Sequence, residues 1–141
     1  MRQLLPIIPF LFPAILFSQC ISGDCANGQG EYKFKNGVYA GGFSNYELNG
    51  SGIFSTKRGY SYNGEWEEGI KTGQGIEKFK KGLTYEGGFS QNQRNGHGKA
   101  MFPGTKFMKD IQYTGNWEGG IPHGQGELSY SREVKYGRNK K

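Results

Sequence analysis

The stretch YNGEWEEGIKTGQG, residues 62–75, combines two large rings, Tyr62 and Trp66, with glycines at Gly64, Gly73 and Gly75. Glycine inside a strand carries an entropy cost and has no side chain to pack. Its use beside aromatic residues therefore needs a reason, and the rest of the chain supplies one. The aromatic–x–Gly–x–aromatic unit occurs at Tyr39-Gly41-Phe43, Tyr62-Gly64-Trp66, Tyr85-Gly87-Phe89 and Tyr113-Gly115-Trp117. A Gly–x–Gly unit follows each, at Gly50-Gly52, Gly73-Gly75, Gly96-Gly98 and Gly124-Gly126, and the offset from tyrosine to the first of these glycines is constant. An extra Gly28-Gly30 precedes the first copy. Fixed internal spacing is the mark of a repeat architecture.

Parity gives the local structure. Along a strand, alternate residues share a face. Tyr62, Gly64 and Trp66 fall on one face, as do Gly73, Gly75, Glu77 and Phe79 further on. Each repeat then supplies two strands with glycines and aromatics on the same side. The expectation is that the glycines leave holes and that rings of neighbouring strands lie flat over the bare backbone. Short connections join the strands as hairpins. Three residues after the second aromatic lie Tyr46, Gly69, Asn92 and Gly120, and Gly and Asn tolerate the left-handed conformation such turns use. Tyr46 does not, so the first loop is expected to have a different shape. Gly37, Gly59 and Gly82 mark second turns, Asn36-Gly37 being a strong hairpin signal.

The pattern Y-x-G-x-[FW]-x-x-G-x-x-x-G-x-G resembles the MORN repeat. Residues 39–52, 62–75, 85–98 and 113–126 fit it, and Gly28-Gly30 resembles the second half of a fifth copy. Two features depart from the pattern: Tyr46 replaces a loop glycine, and the last repeat is longer through FPGTKFMKDIQY. The resemblance implies an all-β fold, an elongated single-layer antiparallel sheet of consecutive β-hairpins. Ten strands at about 4.8 Å each would give a rod of roughly 50 Å. It also implies a scaffold that binds proteins, associates with itself or touches phospholipid.

Four segments follow from composition. Residues 1–19 open with Arg2 and an apolar run from Leu4 to Phe17, too short to span a bilayer and broken by Pro6, Pro9 and Pro13. They read as a secretory signal. The protein is thus expected to be exported, whether periplasmic, secreted or held at the envelope. Residues 20–26 hold the two cysteines, Cys20 and Cys25, and export permits a disulfide between them. Acylation of Cys20 as a lipid anchor is the lesser alternative, since FSQC fits the lipoprotein pattern poorly. CISGDCANGQGEY also resembles the start of exported bacterial proteins built on the MORN repeat. Residues 27–130 form the repeat array, and 131–141 a basic tail.

The formal charge is +6, and the tail residues Arg132, Lys135, Arg138, Lys140 and Lys141 carry much of the excess. The array is nearly balanced, with 12 basic and 10 acidic residues. The tail, with Lys106, Phe107, Met108 and Lys109 in the lengthened 103–112 loop, is the candidate contact for an anionic phospholipid or a protein partner. The exposed aromatic face and the open sheet edges are the other candidate contacts, a second copy of the chain included.

No catalytic set is legible. His97 and His123 sit beside the loop glycines. Glu65, Glu67, Glu86 and Glu118 follow the repeat and read as a solvated face. The Gly–x–Gly units never continue into a phosphate loop. No enzyme activity, cofactor, metal or nucleic-acid partner is expected.

Overall fold

Period-two strands joined by connections of two to five residues favour a meander of antiparallel neighbours. The computed structural model, which describes residues 19–106 and 108–132, is that meander. Ten strands run in chain order: β1 Cys20–Gly23, β2 Gln29–Lys33, β3 Val38–Ser44, β4 Glu47–Ser55, β5 Ser61–Glu67, β6 Ile70–Lys78, β7 Thr84–Ser90, β8 Gln93–Phe102, β9 Met108–Glu118 and β10 Ile121–Arg132. They form one open antiparallel sheet in the order β1 to β10, each strand paired to its sequence neighbours. The described residues contain no helix. Of residues 1–19, read as a secretory signal, all but Gln19 lie outside them.

One glycine from every strand falls in the same register. Gly23 faces Gly30, which faces Gly41, then Gly52, Gly64, Gly75, Gly87, Gly98, Gly115 and Gly126. A bare file of backbone therefore crosses the whole sheet. The tyrosine of each hairpin lies on it. A Cβ at Gly64 would come within 2.5 Å of the Tyr62 hydroxyl and 2.7 Å of the Gly75 Cα. Methyls at Gly52, Gly98 and Gly126 would collide in the same way with Tyr39, Tyr85 and Tyr113. The hydroxyls of Tyr39, Tyr62, Tyr85 and Tyr113 each donate to the carbonyl three residues on, at Gly42, Glu65, Gly88 and Asn116, over 3.0–3.2 Å.

The rings form a column. Phe43, Tyr39, Trp66, Tyr62, Phe89, Tyr85, Trp117 and Tyr113 follow one another with centroids 4.9–5.5 Å apart and planes at 75–88°. They meet edge to face rather than lying flat, because the positive ring edge seeks the negative face of the next ring, worth about 0.5–1.5 kcal/mol per pair beyond area burial. Tyrosines lie within a repeat. Phe and Trp bridge to the tyrosine of the repeat before, and Trp66 and Trp117 also donate their indole N–H to the carbonyls of Gly52 and Gly98. Tyr39, Tyr62 and Tyr85 are wholly buried. The aromatic face is thus covered by its own rings, which corrects the expectation that it is left exposed for a partner. A looser second rank, Tyr32, Phe34, Phe54, Tyr60 and Phe79, runs parallel to the column.

The two glycines of each Gly–x–Gly unit have different tasks. The second is the hole under the tyrosine. The first, at Gly50, Gly73, Gly96 and Gly124, has φ of 73°, 55°, 79° and 64°, at a bulge where the second strand of the hairpin carries extra residues against the first. The hairpin turns are two-residue loops with positive φ at both positions: Asn45-Tyr46, Glu68-Gly69, Gln91-Asn92 and Gly119-Gly120. Tyr46, at φ 67°, takes the shared shape, contrary to the expectation of a different first loop. A repeated bond holds it there. The second turn residue donates its N–H to the repeat before: Tyr46 to Ala26, Gly69 to Leu48, Asn92 to Lys71 and Gly120 to Arg94, over 3.0–3.2 Å. Asn36 and Gly37 do form a hairpin between β2 and β3, but neither has positive φ. The turn there closes through the Phe34 N–H and the Gly37 carbonyl, 2.8 Å apart.

The lengthened fourth repeat is not a large loop. Its extra residues extend β9 back to Met108, where it pairs with Arg132 of β10, and Asp110 at φ 51° makes a bulge. β10 thereby reaches Arg132, two residues into the segment read as tail.

Tyr46 is 76% exposed and makes no ring contact in the column, so its left-handed backbone is strain without packing gain. Tyr46→Gly should raise the melting temperature, by up to about 1 kcal/mol of stability. A thermal melt followed by circular dichroism reads this.

Candidate functional site

The fold presents four surfaces: the ring face, the opposite face, and two long rims where the turns and loops lie. The ring face carries the one buried charge among the described residues. Glu77 pairs across β5–β6 with Tyr62, at the position filled elsewhere by Phe54, Ala100 and Leu128. Its carboxylate accepts from Lys71 Nζ at 2.7 Å, from the Tyr60 hydroxyl at 2.7 Å, and from Arg94 Nε and Nη2 at 3.1 and 3.0 Å. Lys71 and Arg94 stand one repeat apart, where the other repeats have Leu48 and Pro122. Their charged heads lie over the column: Lys71 Nζ is 5.0 Å from the Tyr62 ring centre and 5.4 Å from that of Phe89, and Arg94 Cζ is 4.9 Å from Tyr85 and 5.4 Å from Trp117. Burial would raise the Glu77 pKa, but the Lys71 ammonium, the Tyr60 hydroxyl and the Arg94 guanidinium outweigh it and hold it below the ordinary carboxylate value. Every partner in this cluster is internal, so it binds repeat two to repeat three and offers no free group for chemistry. Glu77's parity placed it on the ring face in the sequence. Its partners were not legible, because two basic residues a repeat apart look like ordinary solvated charges.

The opposite face has a shallow trough over the glycine file, lined among others by Gln29, Glu31, Ser51, Ile53 and Asn63. His97 lies on this side and is exposed, and His123 Nε2 sits 3.2 Å from Glu118 at the far end of the sheet. Among the described residues no group of three or more His, Cys, Asp or Glu is placed to hold a metal.

The rims are where charge collects. Nine basic residues, Lys33, Lys35, Lys57, Arg58, Lys78, Lys80, Lys81, Lys106 and Lys109, are exposed in or beside the loops between repeats. The hairpin-turn rim instead carries Asp24, Glu47, Glu67, Glu68 and Glu118, also exposed. A near-zero sum thus hides a rod that is basic along one edge and acidic along the other. The sequence pattern held the signal, since basic pairs recur after every second strand, but a count by segment averages it away.

Of the residues proposed as lipid or partner contacts, Lys106, Met108, Lys109 and Arg132 lie together at the fourth loop on the basic rim. Phe107, Lys135, Arg138, Lys140 and Lys141 lie outside the described residues. Cys20 and Cys25 are joined by a disulfide, S–S 2.06 Å, which ties β1 to the loop before β2. The Gln19 carbonyl accepts from the Lys33 N–H at 2.7 Å, so the chain enters the sheet on the basic rim as well.

This geometry agrees with the family comparison. The model of the MORN repeat matches residues 26–38, 39–59, 62–84, 85–104 and 113–132. The chain belongs to the MORN repeat family, a class of non-enzymatic repeat scaffolds that mediate protein or membrane-lipid interactions. No curated protein matches the chain.

Glu77→Ala would leave two largely buried cations without their counter-ion and should cost about 3–5 kcal/mol. The pH profile follows from the same groups. The depressed pKa of Glu77 means its stabilisation is complete above the unfolded value of 4.5 and is lost as pH falls below it. Burial pushes Tyr39 and Tyr85 up to about 12, so their share holds below pH 10 and is lost between 10 and 12. Melts across pH should show both limbs, with the acid limb diminished in Glu77→Ala.

Proposed function

We propose that the chain is an exported, non-enzymatic scaffold of the cell envelope, binding protein partners and associating with itself. The observation that carries this is the segregation of charge onto two rims. Lys33, Lys35, Lys57, Arg58, Lys78, Lys80 and Lys81 make no ion pair among the described residues, and they recur with the repeat. A rod with periodic charge along one edge suits a long, repetitive contact better than the enclosure of a small molecule. Export rests on the basic start and short apolar run of residues 1–19.

A second function, as a peripheral module on anionic phospholipid, is favoured by one specific feature. Gln19 and Arg132, the two ends of the sheet's chain, lie on the basic rim with Lys106 and Lys109. The basic tail therefore starts on the side that would face the lipid.

Co-sedimentation with vesicles of phosphatidylcholine and phosphatidylglycerol separates the two. The scaffold function predicts that the chain stays in the supernatant at physiological salt. Pelleting that fades as salt rises, and is lost in Lys57→Glu/Arg58→Glu/Lys80→Glu/Lys81→Glu, would favour the lipid module instead.

A further inference from the structure

The two ends of the sheet are built differently. At the first, β1 is short and the disulfide Cys20–Cys25 closes its hairpin. At the last, β10 is the longest strand, is exposed along its entire length, and among the described residues has a neighbour on one side only. The ring column also stops unfinished. Tyr39, Tyr62 and Tyr85 each lie between two rings, one from their own hairpin and one from the next. Among the described residues Tyr113 meets the ring of Trp117 alone, and it is only half-buried. Leu128 and Tyr130, on the ring side of β10, are 60% and 50% exposed.

We propose that two copies of the chain join through β10, antiparallel about a two-fold axis at Gly126, into one continuous sheet. This rests on the self-association proposed above and names its surface. Three observations single out a second copy in this arrangement. Every seam between repeats sets glycine against glycine: Gly52 faces Gly64, Gly75 faces Gly87, Gly98 faces Gly115. The two-fold continues that file, Gly126 meeting its own counterpart. The same register puts Leu128 opposite Gly124, where bare backbone leaves room for it, and Tyr130 opposite Pro122. Charge then fixes the direction. The chain leaves β10 at Arg132 on the basic rim, and residues 132–141 hold five basic side chains against Glu133. Parallel pairing would bring two such ends together. Antiparallel pairing lays each beside the other copy's Gly119-Gly120 turn, next to exposed Glu118 on the acidic rim. A two-fold contact is self-complementary and closed, so it yields a dimer rather than a fibre.

Sedimentation velocity on the full chain over a concentration series tests this, beside Leu128→Lys/Tyr130→Lys and, as control, Ile53→Lys on the opposite face. The expected result is a concentration-dependent dimer whose dissociation constant rises more than about tenfold in the β10 variant and not in the control. Circular dichroism melts of both variants establish that each is folded. A nitroxide on Gln125→Cys, next to the axis, should show strong dipolar broadening in the dimer. A dimer unaffected by the β10 substitutions, or one without broadening at residue 125, overturns the proposed surface while leaving self-association standing. A monomer at all concentrations overturns both.

Discussion

The seating of a tyrosine on two facing glycines is the constraint on which the rest of the structure depends. Each hairpin places its tyrosine over the glycine two residues on and over the glycine paired with it across the turn. The ring can descend there only because neither position has a Cβ. Once down, its hydroxyl reaches the backbone three residues ahead, and its upper part becomes a wall for the next Phe or Trp. Burial, hydrogen bonding and ring packing all follow from the missing side chains. A single-layer sheet has no second layer to supply a core. This chain makes one from a file of rings laid over a file of glycines.

The same device sets the order of assembly. Tyrosine contacts are local to a hairpin, whereas Trp66, Phe89 and Trp117 reach back one repeat, as do the turn N–H groups of Gly69, Asn92 and Gly120. The Glu77 cluster adds a stronger tie between repeats two and three. Stability in such an array is close to a sum of units and nearest-neighbour seams. The ends are then the weak points. One is closed by a disulfide hairpin. The other, among the described residues, ends on a tyrosine with a ring on one side only.

Much of this was legible in the residues. The fixed spacing from Tyr39 to Gly50, repeated at Tyr62, Tyr85 and Tyr113, established the hairpin array and its faces, because a period of two leaves little freedom once glycines and rings share parity. What was not legible depended on backbone geometry or on distant pairing. Gly50 and Gly52 look identical in sequence, yet one bends a bulge and the other receives a ring. Tyr46 looked unfit for its turn because the bond from its N–H to Ala26 is invisible in sequence. The residues after Phe102 read as an extra loop, since a strand bulge at Asp110 has no composition of its own. Charge was misread for a different reason. Lys57 and Glu67 cancel in a sum but stand on opposite rims once the strands are folded back and forth.

Melting Gly75→Ala beside Gly69→Ala tests the glycine seat most directly. Both replace glycine by one methyl. At Gly75 the methyl would meet the Tyr62 ring at 2.6 Å, whereas at Gly69 nothing lies within 4 Å and only the positive φ is strained. A loss at Gly75 well above the roughly 1–2 kcal/mol of left-handed strain expected at Gly69 is the predicted result. Equal losses, or a milder effect at Gly75, would contradict a fold held together by rings on bare backbone.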